Sequence, residues 1–136
     1  MATYVKFQDF VEALALGQHN CNTDTFKVYL SNTTPSTSAD ADKTDLAEIT
    51  NENGYTAPID IENAASESGG TLTVTAVSKT ITASGGTVGP FRYVVIYNDT
   101  HVTDGLICYW DYGSEIILQA GESFTVQFGA SLFTLT

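Results

Sequence analysis

The stretch Phe91–Tyr97, FRYVVIY, carries apolar side chains on both faces of an extended chain. Successive side chains of a strand point to opposite sides, so both sides here need cover. That pattern marks a central strand, or one that a neighbouring subunit covers. Asn98-Asp99 ends it, and short apolar runs follow: Leu106–Tyr112 (LICYWDY), Glu115–Gln119 (EIILQ), Glu122–Phe128 (ESFTVQF) and Ser131–Leu135 (SLFTL). Gly105, Gly113, Gly121 and Gly129 separate them. On the other side, Thr71–Val77 (TLTVTAV) alternates with Leu72, Val74 and Ala76 inward, and Lys79–Ala83 continues as another strand that Ser84-Gly85-Gly86 turns. Strands at this spacing, divided by turn residues, predict an all-β antiparallel sandwich, jelly-roll-like, of about eight strands. No fixed-period repeat is present, which disfavours a solenoid or propeller.

Further out, the period changes. Phe7, Phe10, Val11 and Leu14 fall at i, i+3, i+4 and i+7 and predict one N-terminal helix over residues 5–16, stopped by Gly17. In Thr25–Ser31 (TFKVYLS), Phe26, Val28 and Leu30 share one face of a half-buried strand, with Lys27 and Tyr29 on the other. Residues 32–45 (NTTPSTSADADKTD) are polar and turn-rich and read as an exposed loop. A helical turn over Leu46–Ile49 follows, with Thr44 as its N-cap. Asn53-Gly54 signals a tight turn before a short strand around 58–61.

Composition narrows the function. The 136 residues suit one domain that folds without metal or disulfide, and 43% are hydrophobic, which argues against disorder. Five Lys+Arg stand against sixteen Asp+Glu, a net charge of −11. The cations Lys6, Lys27, Lys43, Lys79 and Arg92 are scattered. With no basic patch to release counterions, nucleic acid and anionic membrane are both excluded as expected partners. The N-terminus MATYVKFQDF has no secretory pattern and no apolar run approaches a membrane span, so a soluble chain is expected. Cys21 and Cys108 have neither metal-type nor redox-type spacing and read as reduced thiols in or near the core.

The residue types that carry chemistry do not form a set. His19 and His101 each lie in a polar loop stretch, and no Gly-x-Ser-x-Gly elbow exists. Cys21 lies two positions from His19, but a Cys–His pair needs spatial contact that spacing does not provide. Asp40, Asp42, Asp45 and Glu48 alternate as calcium ligands do, yet the turn glycine and bidentate glutamate of a calcium loop are missing, and a solvated acidic loop is expected. No phosphate-cradling loop is present, because Gly69-Gly70 and Gly85-Gly86 lack a following Lys-Ser/Thr and read as hairpin turns. No catalytic residue, metal or cofactor is therefore expected. Tyr109-Trp110-Asp111-Tyr112 could hold a sugar ring. On a strand, Trp110 joins Leu106 and Cys108 on one face while Tyr109 joins Ile107 on the other, and core packing for one face with subunit contact for the other is expected.

The N-terminal YVKFQDFVEALALGQHN, then DTFKVYLSNTTPSTSAD leading into DLAEITNENGYTAP, resembles a group of small virion proteins of tailed bacteriophages. GPFRYVVIYNDT, LICYWDYGSEIILQAGESFTVQF and the terminal SLFTLT carry the same likeness through the second half. Members of the group are similar to capsid decoration (cement) proteins, which coat the head as β-sandwich oligomers. The resemblance implies a structural protein on the capsid exterior, made in the host cytoplasm, whose partners are the major capsid protein and copies of itself. A tail or fibre module that binds a receptor or glycan is the alternative, and an exposed platform of the Tyr109/Tyr112 kind would favour it. One sandwich buries one face of each strand, so Tyr93, Val95, Tyr97 and Tyr109 are expected interface residues, with Phe7 and Phe10 of the helix, which docks by Phe7, Phe10 and Leu14, as further candidates.

Overall fold

The structure is a computed structural model that describes residues 2–136. It is an all-β, sandwich-like fold of ten strands with one short helix. The main sheet has five strands in the order β1 (Thr3–Lys6), β8 (Leu106–Leu118), β7 (Val88–Asn98), β2 (Phe26–Ser31), β3 (Ile59–Asp60). Two smaller sheets lie against one of its faces. The first runs β10 (Phe133–Leu135), β5 (Thr71–Thr75), β4 (Ala64–Ser68), and the second pairs β6 (Lys79–Thr82) with β9 (Ser123–Val126). All pairings are antiparallel.

The strand FRYVVIY is central. It forms most of β7, which lies between β2 and β8 with both faces buried. Val94 and Ile96 join Phe26, Val28, Leu30, Val74, Ile81 and Val126 in the core between the sheets. Tyr93, Val95 and Tyr97 lie on the far face, with Phe7, Tyr29, Leu46, Leu106 and Tyr109. Each fully buried side chain of this size contributes about 1.5–3 kcal/mol over an exposed one.

That far face is covered by the segment that reads as an exposed loop. The chain from Asn32 to Ile49 crosses the sheet as a strap. Gln8 N–H donates to the Thr37 carbonyl (3.0 Å), Leu106 N–H to that of Ala41 (2.8 Å) and Ile49 N–H to that of Leu30 (3.0 Å). Leu46 plugs into the aromatic cluster at 2% exposure. The expected helical turn over Leu46–Ile49 is instead a 3-10 turn at Lys43–Asp45, because Asp42 and Asp45 cap it reciprocally and place the cap two residues before Thr44.

The N-terminal helix is shorter than residues 5–16. α1 spans Gln8–Ala15, and Thr3–Lys6 pair with β8 as an edge strand. Sheet pairing outweighs helical periodicity there, and Phe7 stays extended at φ −74°, ψ 143°. The expected stripe is thereby split. Phe7 enters the far-face cluster, Phe10 and Leu14 face the inter-sheet core, and Val11 stays half exposed. Gly17 at φ +76° ends the helix.

β8 also departs from expectation, since Gly113 does not divide it. Ile96 pairs with Cys108 while Tyr97 pairs with Leu106, so Ile107 is the extra residue of a bulge. Leu106 therefore faces the far side with Tyr109, and Ile107 and Cys108 both face the core, against the strict alternation expected. β4, at Ala64–Ser68, has no counterpart in the sequence reading: its apolar residues are two adjacent alanines, it is mostly exposed, and only its hairpin turn at Gly69-Gly70 is marked. At Asn53-Gly54 both residues take positive φ. A Cβ on Gly54 would collide with the Thr82 carbonyl, so glycine is required by space as well as by conformation.

Candidate interaction surfaces and a buried histidine pair

The six expected interface residues are all inside the chain. Phe7 and Val95 are 0% exposed, Tyr97 1%, Phe10 3%, Tyr93 5% and Tyr109 9%. Five of them form one aromatic layer under the strap, and Phe10 lies on the opposite side of the sheet. Their rings meet edge-on or tilted, at 5.3 Å for Phe7–Tyr109 and 6.0 Å for Tyr93–Tyr109. No second subunit is needed to cover these side chains, because the chain covers them itself.

Lys43 closes this layer. Its ammonium stands 4.9 Å from the centre of the Tyr29 ring and 5.6 Å from that of Tyr97, and it pairs with Glu48 at 3.1 Å. Glu48 also accepts from the Tyr55 hydroxyl, which in turn accepts from Leu30 N–H at 2.9 Å. The Tyr29 hydroxyl donates to the carbonyls of Lys43 and Leu46. Burial raises the Tyr29 and Tyr55 hydroxyls far above the ordinary tyrosine value, so they act only as neutral hydrogen-bonding groups.

The acidic run of the strap is occupied with holding it. Asp45 accepts from Ala41 N–H and Asp42 N–H, and these bonds hold its carboxyl below the usual range. Asp40 accepts from Ser36 N–H and Asp42 from the Thr103 hydroxyl. Among the described residues, no group of three or more His, Cys, Asp or Glu is arranged to hold a metal.

The two histidines, which lie far apart in the sequence, meet. Their ring centres are 5.0 Å apart, and His19 is buried at 6% exposure while His101 is half-buried. Asn98 donates its side-chain N–H to His19 Nδ1 (2.9 Å) and to Asp24 (2.7 Å). His101 Nε2 lies 3.3 Å from Gln18 Oε1. Among the described residues, no hydroxyl or thiol is hydrogen-bonded to His19, whereas the Thr103 hydroxyl lies 3.3 Å from His101 Nδ1. Cys21 and Cys108 are both free and buried, and burial raises both thiols. What brings the histidines together is the return of the chain through β2 and β7, which no local spacing encodes.

Two open grooves lie among the described residues. The larger, about 710 Å³, runs between α1 and the C-terminal strand and is walled by Phe10, Val11, Leu14, Phe133 and Leu135, with Tyr4 at one end. Val11 is 49% exposed, Leu135 51% and Tyr4 39%. The edge strands β1 and β10 border it. The smaller, about 350 Å³, is lined by Val94, Trp110, Tyr112 and Phe124. Tyr109 is absent from it, and Tyr112 is the half-exposed member of the expected sugar platform. Val11 belongs to the helical stripe by spacing but is left half exposed. No known protein family, curated protein or solved structure matches the chain. No helix among the described residues is long and apolar enough to cross a membrane.

Proposed function

We propose that this chain is a structural, non-enzymatic virion protein that decorates a phage head, binding the major capsid protein and copies of itself on the capsid exterior. The observation that carries the reading is the open apolar groove between α1 and β10, on a chain of net charge −11. Contiguous exposed apolar surface on an otherwise charged protein marks a contact face. The resemblance of the sequence to small tailed-phage virion proteins supplies the partner. Because the faces of the main sheet are satisfied internally, contacts between copies run through the groove and the edge strands β1 and β10 that border it. Repetition on a lattice raises the effective concentration, so modest contacts suffice.

The alternative, a tail or fibre module, is favoured by the second groove, where Trp110, Tyr112 and Phe124 offer aromatic faces to a sugar. Reconstruction of particles containing the chain separates the two. Density on the outer surface of the head supports decoration. Density at the tail tip or on fibres overturns it and leaves the glycan-binding reading in place.

A further inference from the structure

We propose that His19, Asn98 and His101 form an acid-released clasp that ties the stretch after α1 to the turn between β7 and β8. Asn98, which is fully buried, sets the geometry. Its side-chain oxygen accepts from Thr100 N–H (2.9 Å) and His101 N–H (3.3 Å), which fixes the amide so that its NH₂ group faces His19 and Asp24. His19 Nδ1 must therefore be the bare, accepting nitrogen, and the proton of the neutral ring lies on Nε2. That Nε2 is buried with no hydrogen-bond partner.

A second proton on His19 has to go to Nδ1, where it points at an N–H donor instead of an acceptor. The Asn98 bond then breaks, and a cation is left in a nearly closed site with another imidazole 5.0 Å away. The charged and titratable groups facing His19 are His101 from the β7–β8 turn, Asp24 from its own stretch and Asp9 from α1. The two carboxylates favour protonation, but burial first and His101 second outweigh them and lower the His19 pKa. Because the folded value lies below the unfolded one, the clasp is at full strength above about pH 6.5 and weakens as pH falls below it. The same ring packs 5.2 Å from Phe10, and Asp99 N–H donates to the Thr25 carbonyl, so the clasp joins helix, strand and turn.

The test is a histidine-ring NMR titration of the full chain, with amide hydrogen exchange followed over the same pH range. His19 is expected in the Nε2–H form at neutral pH, with a titration midpoint below the ordinary value of 6.5. After correction for the intrinsic rate, exchange of the Thr100 amide should accelerate at least about tenfold as His19 titrates, while that of Val95 stays unchanged. The variant His101→Gln should move the His19 midpoint upward. An Nδ1–H form at neutral pH, a midpoint at or above 6.5, or Thr100 exchange indifferent to His19 overturns the proposal. The wild-type titration reads the clasp directly, so it decides the matter even where the variant fails to fold.

Discussion

Lys43 stands over two tyrosine rings of the far-face layer, and nothing in its sequence neighbourhood marks it. Its partner Glu48 is itself tied to Tyr55. A partly desolvated cation–π contact with an ion pair is worth about 1–2 kcal/mol. Lys43→Ala should lose that much in a urea titration, and a loss below about 0.3 kcal/mol would show that the strap holds without it. The carboxylates of Asp45, Asp99 and Asp111 are held low in the fold, by the backbone N–H bonds of the capped turn, by Lys27 and by Arg92 respectively. A carboxyl whose folded pKa is depressed stabilises above its unfolded value, about 3.9, and loses that contribution as pH falls through the folded value. Thermal melts should therefore show a second acid loss below about pH 4, distinct from any change near pH 6. Asp99→Asn should make the lower step shallower. A melting temperature flat between about pH 5 and pH 2 would contradict the assignment.

The elements are legible in the sequence where one rule governs them. The runs of β2, β5 and β6, which alternate, and of β7, which is apolar on both faces, stand in the structure close to where they are expected, because the pattern of each run marks it directly. Elements shaped by long-range pairing are not. Val5 and Lys6 fall within the expected helix but are taken into the sheet by β8, and Gly113 sits inside a strand that its partner β7 keeps continuous. The strap reads as a solvated loop for a related reason: its apolar anchors, chiefly Leu46 and Ile49, are few and isolated, and isolated apolar anchors leave no periodic signal. Leu46→Ala should cost about 2–5 kcal/mol, since the aromatic layer beneath cannot collapse into the gap. Phe10→Ala should cost about 3 kcal/mol or more, because the ring fills the core between α1 and Phe133. Denaturant titrations check both. A loss below about 1 kcal/mol for either variant would mean that the element it anchors is peripheral to stability.

At the scale of the molecule, the all-β class is legible because turn residues and alternation recur along most of the chain, whereas the cover that the chain lays over its own sheet is not. Two apolar strand faces do not require a second subunit here, because the chain folds back over its own sheet. What is left outward is a narrower feature, the groove between α1 and β10, and the decoration role stands on it. The direct measurement is binding of the purified chain to assembled heads that lack it, comparing Val11→Asp and Leu135→Asp with Val102→Asp. Val11 and Leu135 wall the groove and are about half exposed, while Val102 is 93% exposed and lies outside it. All three add the same charge and should leave the melting temperature within a few degrees of wild type. Saturable binding is expected of the wild-type chain and of Val102→Asp, with affinity lowered at least about tenfold in the two groove variants. Equal binding by all four proteins, or no binding by the wild-type chain, would contradict it.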